Sequence, residues 1–246
     1  MLNNQIEGSR VVITGGSSGI GLEVAHMALA AGAQHVTLLA RNVEKLDSAA
    51  QLLSGSVAAL ALDVTDETAV AAAFDQIGAF DHLVTAAAGT VRGTIVEVDT
   101  QAARGLFEAK FWGQHHCIKY GAPNMSQRGS ITLFSGWISR KPMKGLGTLA
   151  AVDGAIESLG RVAALELAPI RVNTIVPGQI DTPLWRTRLS EEAAQAYFGT
   201  VDNDLPVGRR GQPEEVAQAI LALMNNPFIT GTTLDIDGGQ PTGRHD

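Results

Sequence analysis

The fold of this 246-residue chain can be read from one segment, Val11-Val12-Ile13-Thr14-Gly15-Gly16-Ser17-Ser18-Gly19-Ile20-Gly21. Its first three residues fit a buried strand, and the glycine-rich part fits a tight turn. A helix is predicted next, because apolar residues recur at helical spacing at Ile20, Val24, Met27, Ala28 and Ala31. This order of elements places free backbone N–H groups and the positive end of a helix dipole at one point, which favours phosphate binding.

The glycine-rich turn has two alternative interpretations. The phosphate loop of nucleotide triphosphatases has a similar spacing, but Leu22 and Glu23 stand where that loop requires Lys and Ser or Thr. An ordinary tight turn is the second alternative, and the flanking strand and helix favour a dinucleotide-binding turn over it. The predicted contacts in this turn are Gly15, Ser17, Ser18, Gly19, Ile20 and Gly21.

Short apolar runs alternate with helical patterns along most of the chain. Further strands are predicted at 35–40, 57–62, 82–86, 130–134, 170–176 and 232–236, and helices at 46–53, 69–77, 102–120, 145–167 and 214–224. Strict alternation predicts an α/β fold, a doubly wound parallel sheet of seven strands in a single domain spanning 1–246. Residues 177–211 look long and irregular, so we expect a substrate lid there, over the carboxyl edge of the sheet.

Composition excludes several classes of function. The net charge is −7 with no basic run, which argues against nucleic acid as a partner. The single cysteine, Cys117, rules out an internal disulfide. Because neither a signal-peptide region nor a bilayer-length apolar stretch is present, we expect no membrane association and a cytoplasmic protein. Side chains of His115, His116 and Cys117 diverge on a helix, so no metal site is predicted.

The end of the second predicted strand bears on the choice of cofactor. Arg41 stands about 20 residues beyond the last glycine, where NAD-binding proteins carry a carboxylate for the ribose hydroxyls. A guanidinium can instead bind a 2′-phosphate with a forked pair of hydrogen bonds, which favours NADP(H) over NAD(H). A solvated surface arginine is the alternative. Asn42 adjoins this position, and Asp63 with Val64 closes the third strand, where a carboxylate can accept from the adenine amino group.

Several motifs in this order resemble the short-chain dehydrogenase/reductases. They are Thr14-Gly15-x-x-x-Gly19-x-Gly21, Asp63, Ile170-Arg171-Val172-Asn173, Pro177-Gly178-x-x-Asp181-Thr182 and Asp235-Ile236-Asp237-Gly238-Gly239. The resemblance covers nearly all of the chain and implies a Rossmann-type domain, a nicotinamide dinucleotide and a homodimer or homotetramer. In the same resemblance, Ala87-Ala88-Gly89 corresponds to the family's Asn-Ala-Gly motif. The cofactor contacts that it implies are Ala87, Gly89, Pro177, Ile180 and Thr182.

The chain departs from this family at the catalytic residues. Family members usually carry Asn, Ser, Tyr and Lys, with Tyr as the proton donor. Aligning the helical segment after the Tyr-x-x-x-Lys motif places these four positions at Lys110, Gly136, Leu149 and Asp153, with Ser135 next to the missing serine. The usual acid is therefore absent.

Two functions remain open from the sequence. One is an NADP(H)-dependent oxidoreductase of a small-molecule substrate, with Lys110 as an altered proton donor, Asp153 as its partner and Ser135 nearby. The other is a non-catalytic NADP(H)-binding protein, a sensor or an assembly subunit, in which Lys110 is a structural or solvated lysine. A positioned general acid contributes about 10²–10⁴ in rate, so loss of the tyrosine need not abolish hydride transfer.

Overall fold

A parallel sheet of seven strands runs through the protein, here a computed structural model that describes residues 4–87, 89–183 and 190–240. The strands are β1 (Arg10–Thr14), β2 (His35–Ala40), β3 (Val57–Ala61), β4 (Phe80–Thr85), β5 (Met125–Phe134), β6 (Arg171–Pro177) and β7 (Thr233–Ile236). Their order is β3-β2-β1-β4-β5-β6-β7, and each neighbouring pair is parallel. The predicted doubly wound α/β fold is confirmed.

Helices cover both faces of this sheet. They are α1 (Gly19–Ala30), α2 (Val43–Leu52), α3 (Glu67–Ile77), α4 (Thr100–Phe107), α5 (Gly113–Gly121), α6 (Gly147–Glu166), α7 (Glu191–Asp204) and α8 (Pro213–Asn225). Residues of α1, α2 and α8 share one apolar cluster, and residues of α3, α5 and α6 share the other. Alternation along β1 explains the two layers, since Val11 and Ile13 join the first cluster and Val12 joins the second. No helix in the described ranges is long and apolar enough to cross a membrane.

Element boundaries agree with the sequence prediction to within three residues, with one exception. Strand β5 begins at Met125 rather than at 130, because Met125 pairs with Phe80 ahead of an irregularity in the register. The residues between Met125 and Ser130 are not apolar, so a search for apolar runs does not detect this part of the strand.

The prediction that 177–211 is irregular was wrong in part, because α7 lies within it. The Ser190 side chain caps this helix by accepting from the Ala193 N–H. Ala194, Phe198 and Val201 are buried at i, i+4 and i+7, a helical pattern that the flanking Pro and Arg residues obscured. Residues 184–189 lie outside the described ranges, so the lid stays a prediction.

The predicted helix at 102–120 is not a uniform α-helix. Between α4 and α5, residues Glu108–Trp112 form a π-helical turn, and Lys110 lies at its centre. A π turn places one extra residue in the helix and occurs often at functional sites. Lys110 is buried there, with 7% of its surface exposed.

The Arg171-Val172-Asn173 motif has a structural role that the sequence did not reveal. The buried Arg171 guanidinium donates to the backbone carbonyls of Leu223 (2.6 Å), Met224 (2.7 Å) and Ile229 (3.1 Å). Because the first two of these carbonyls lie in the last turn of α8, a positive charge is favourable there. Asn173 holds the following turn by bonding the backbone of Ile229 and of Thr232. The motif therefore fastens α8 to β6.

We expect Arg171→Met to lower the free energy of unfolding by about 2–4 kcal/mol, because it leaves buried carbonyls without donors. Arg171→Lys should recover only part of this loss, since an ammonium cannot reproduce the forked geometry. Chemical denaturation measures both. Arg161→Met, at an exposed position of α6, is the matched control and should stay within about 0.5 kcal/mol of the wild type. An Arg171→Met protein as stable as this control would contradict the assignment.

Candidate active site

A cavity of about 430 Å³ lies at the carboxyl edge of the sheet. The strand order reverses between β1 and β4, and ligands of open α/β sheets bind in the crevice at such a point. The structure brings almost all of the predicted site residues to its wall. They are Gly15, Ser17, Ser18, Gly19, Ile20, Gly21, Arg41, Asn42, Asp63, Val64, Ala87, Lys110, Ser135, Pro177, Ile180 and Thr182.

The turn between β1 and α1 requires glycine at two positions. Gly15 has φ +70°, and a Cβ placed there would lie 2.6 Å from the carbonyl oxygen of Ala86. A Cβ at Gly21 would lie 2.4 Å from the carbonyl oxygen of Gly15. These close approaches hold the N-terminus of α1, which begins at Gly19, against the cavity. Such an N-terminus supplies the N–H groups that a pyrophosphate needs, so the turn fits a dinucleotide.

Two cations lie at one end of the cavity. Arg41, a predicted cofactor residue, lines the wall, and Lys45, which the sequence analysis missed, lines it as well. The Asn42 side chain caps α2 by accepting from the Lys45 N–H at 2.8 Å, so Lys45 lies in the first turn of that helix. A cap followed by a lysine three residues later was the signal available in the sequence. Together the two cations favour an anionic group at this end.

Asp63 and Val64 form the adjacent wall. The Thr65 backbone N–H and hydroxyl donate to Asp63 Oδ1 at 3.0 and 2.8 Å. The backbone hydrogen bond is the main cause that lowers the pKa of Asp63, which is therefore ionised at neutral pH. A Cβ at Gly113 would lie 2.6 Å from a methyl group of Val64, so glycine there allows α5 to approach this wall.

The other end of the cavity is formed by Ala87, Pro177, Ile180 and Thr182. Gly178 lies among them, and a Cβ on it would lie 2.5 Å from the Cα of Asp237. The Pro177-Gly178 motif and the C-terminal Asp-Gly-Gly motif are thus in direct contact. Gly89 is the exception among the predicted cofactor residues, because it does not line the cavity and packs toward Leu106 instead.

Lys110 reaches the same end of the cavity from the π turn. Its ammonium forms an ion pair with the Asp153 carboxylate and donates to the backbone carbonyl of Ser135 at 3.3 Å. Lys110 is 7% and Asp153 1% exposed, so this is a buried pair. The sequence placed these charges on two separate helices, and the fold brings them together.

The environment of Asp153 opposes its ionisation. Burial raises the pKa of the carboxyl to about 6, Lys110 opposes the rise, and the like charge of Glu157 adds to it. Since the folded-state pKa lies above the unfolded value, this group's contribution to stability is fully present below about pH 4. It is lost as the pH rises through about 6. Ionised Asp153 is therefore tolerated at neutral pH with Lys110 as its counter-ion.

Gly136 and Leu149, the other two positions that the family resemblance assigns to catalysis, carry no donor group. A Cβ on Gly136 would lie 2.8 Å from Asp153 Oδ2, so the carboxylate occupies space that a serine side chain would need. Leu149 packs against the apolar cluster and does not line the cavity. The Ser135 hydroxyl lies 3.0 Å from both the Asp153 carbonyl and Glu157 Oε1. Ser135 therefore contributes its carbonyl to Lys110, and a direct role of its hydroxyl in catalysis stays a prediction.

Comparison with known proteins gives consistent matches over almost the whole chain. The family whose sequence model matches residues 15–240 is described as enoyl-(acyl carrier protein) reductase. Carbonyl reductase family member 4 of Danio rerio is 34% identical, over 93% of this chain and 96% of that protein. The 3-oxoacyl-[acyl-carrier-protein] reductase of Bos taurus is 32% identical, over 92% and 95%. A crystal structure of a small-chain dehydrogenase in complex with NADPH is 36% identical, with a TM-score of 0.82 over 96% of this chain and 100% of that one.

The contact between Gly136 and Asp153 predicts a coupled pair of substitutions. Gly136→Ala should destabilise the protein by about 1–3 kcal/mol, because the new methyl group displaces a buried, ion-paired carboxylate. Gly136 has φ −177°, so backbone strain does not contribute. In an Asp153→Ala background the same change should cost much less, which a double-mutant cycle in denaturant measures. Gly154→Ala, where a Cβ meets nothing within 4 Å, is the control and should not destabilise. Additive effects of Gly136→Ala and Asp153→Ala would contradict the steric link.

Proposed function

Since this chain belongs to the short-chain dehydrogenase/reductase family, we propose that it is an NADP(H)-dependent oxidoreductase in which Lys110 replaces the family's proton donor. The observation that carries the proposal is the position of Lys110, which lines the cavity while bonded to Asp153 and to the Ser135 carbonyl. The named relatives are reductases, and one of them is a carbonyl reductase. A ketone or another carbonyl compound is thus the first substrate class to test.

The cofactor part of this proposal rests on charge. Arg41 and Lys45 line the cavity after β2, whereas Lys110 bonds to Ser135 after β5 on the other side of β1 and β4. Arg41 or Lys45 can bind a 2′-phosphate. The glycine turn and the N-terminus of α1 would hold the pyrophosphate, and Asp63 the adenine amino group. A similar structure contains NADPH, which supports the same choice. A bound nicotinamide supplies the hydride of the reaction.

Lys110 is suited to the proton transfer by its hydrogen bonds. An ammonium group has three N–H donors, and the two described contacts leave one for a group in the cavity. That donor can bind a carbonyl oxygen and pass it a proton as negative charge develops there. Asp153 and the Ser135 carbonyl fix the direction of the side chain, which keeps the donor at the cavity wall.

A second candidate is a non-catalytic NADP(H)-binding protein, a sensor or an assembly subunit. One observation favours it: the Lys110 ammonium is already bonded to two groups of the protein. The family resemblance supports it as well, because all four positions that it assigns to the catalytic set carry other residues. In that case the ion pair serves only to fill a site that has lost its activity.

We retain a homodimer or homotetramer and a cytoplasmic location as parts of the proposal. The oligomer is expected to form through α4–α5 and α6, as the family resemblance implies. Two apolar side chains of α6 are open to solvent in the single chain, with Val162 50% and Leu165 80% exposed, which supports a partner on that helix.

The cofactor proposal predicts that NADPH binds more tightly than NADH. Arg41→Ala and Lys45→Ala should each weaken NADPH by about tenfold to a hundredfold, the value of a charge-assisted hydrogen bond, and leave NADH little changed. Calorimetric titration of both cofactors measures this. Arg128→Ala, an exposed arginine of β5 away from the cavity, is the control. Equal affinities for the two cofactors in the wild type would contradict the proposal.

The catalytic proposal predicts that Lys110→Met keeps NADPH affinity and lowers turnover by roughly 10²-fold or more. Turnover is measured as NADPH consumption over a panel of carbonyl, quinone and imine compounds. Lys119→Met is the matched control, because Lys119 lies on α5 with an exposed side chain and should leave turnover unchanged. Wild-type turnover in Lys110→Met would end the catalytic reading.

The same variants test the structural reading. Lys110→Met leaves the Asp153 carboxylate without its cation, so thermal stability should fall, and the double variant with Asp153→Leu should recover part of the loss. If the second candidate function is right, the wild type binds NADPH yet shows no turnover on the panel. The Lys110–Asp153 pair would then serve only the stability of the protein.

A further inference from the structure

We infer that Glu157 is a positioning residue that holds the Lys110–Asp153 pair and sets its charge state. Glu157 lies on α6, four residues after Asp153, and is 4% exposed. Residues four apart are neighbours on a helix, so two buried carboxylates stand side by side in this part of α6. The inference rests on the proposed function of Lys110, but its test does not require turnover.

Three side chains of the loop that follows β5 surround the Glu157 carboxylate. Ser139 donates to Oε1 at 2.6 Å, the Ser135 hydroxyl lies 3.0 Å from the same oxygen, and the Arg140 guanidinium is 3.0 Å from Oε2. Buried carboxylates need such partners, because an unpaired charge in the interior is costly. One side chain of α6 thereby fixes both ends of 135–140.

This loop is the one that holds the ion pair. The Ser135 carbonyl accepts from Lys110, and Gly136 leaves the space that Asp153 Oδ2 occupies. A shift of the loop would therefore move one acceptor of the Lys110 ammonium and the wall beside its counter-ion at the same time. Glu157 does not line the cavity, and its described bonds go to Ser135, Ser139 and Arg140, so it acts through these neighbours.

Charge supplies the second part of the effect. The groups that face Asp153 are Lys110 from the π turn and Glu157 from its own helix. Arg140, from the loop after β5, pairs with Glu157 and also with Asp235 of β7 at 3.2 Å. Glu157 repels the ionised form of Asp153, whereas Arg140 partly neutralises Glu157. The ionisation of Asp153, which makes it the counter-ion of Lys110, thus depends on how far Arg140 neutralises Glu157, one helical turn away.

The test is a titration of the Asp153 carboxyl by ¹³C NMR. The full-length protein is labelled with aspartate carrying ¹³C at the side-chain carboxyl, and the signal is assigned from its absence in Asp153→Asn. In Glu157→Gln the carboxyl should titrate roughly half a unit to one unit lower in pH, because the like charge is gone. In Arg140→Gln it should titrate higher, because Glu157 is no longer neutralised. Glu166→Gln, at an exposed position of α6, is the control and should match the wild type.

Shifts of opposite sign in Glu157→Gln and Arg140→Gln support the inference, since a merely structural role gives no such pattern. Titration unchanged from the wild type in both variants, with only a lower melting temperature, overturns it. If Glu157→Gln does not fold, Arg140→Gln decides alone: an Asp153 titration above that of the wild type supports the inference, and an unchanged titration overturns it. Because NMR needs no substrate, loss of the Lys110 mechanism and loss of this inference are told apart. Where turnover is found, the acidic limb of its pH profile should follow the NMR shift.

Discussion

The backbone contact between the first and fourth strands is the constraint on which the site depends. Gly15 lies so close to the carbonyl of Ala86 that a Cβ would be 2.6 Å from that oxygen. β1 and β4 are neighbours in the sheet although two strands separate them in the sequence, so the chain reverses direction across the sheet at this point. The crevice that results is where α1 can direct its N-terminus at a ligand, and the cavity lies there. Without the glycine the turn would have to move away from β4.

The same cavity holds a buried charge pair, which we propose stands in for the family's usual hydroxyl donors. Lys110 and Asp153 are acceptable in the interior because each is the other's counter-ion, and because Ser135 supplies a further acceptor. The arrangement extends through α6 to Glu157 and Arg140, and from there to Asp235 of β7. Strand β7, which leads into the Asp-Gly-Gly motif, is therefore linked to the ion pair through Arg140, Glu157 and the Ser135 hydroxyl.

The sequence predicted the parts of this molecule that depend on local periodicity and chain order. The alternating strands and helices could be predicted, because buried strands are short apolar runs and apolar residues of the helices recur with a period of 3.6. The pairing of Lys110 with Asp153 could be proposed from the family alignment, since both replace residues of one site. The π turn at 108–112 and the roles of Glu157 and Arg171 could not, because each depends on contacts between residues distant in sequence or on side-chain direction. Lys45 was missed although the cap at Asn42 gave a local signal for it. α7 was missed because Pro and Arg residues around it outweighed a short apolar pattern.

Gly136, Lys110 and Asp153 depend on one another through the contacts described above. This dependence limits the order in which the three substitutions can arise from the family's usual site. Asp153 next to a serine at 136 would meet a side chain in the space of its Oδ2 oxygen. Asp153 without Lys110 would be a buried charge without a partner, and breaking a pair of this kind costs about 3–5 kcal/mol, a large share of a domain's stability. We therefore expect a protein with only one of these changes to be less stable than one with all three. We expect the three residues to be epistatic and to be inherited together. Introducing any one of them into a relative with the standard site should destabilise that relative more than introducing all three.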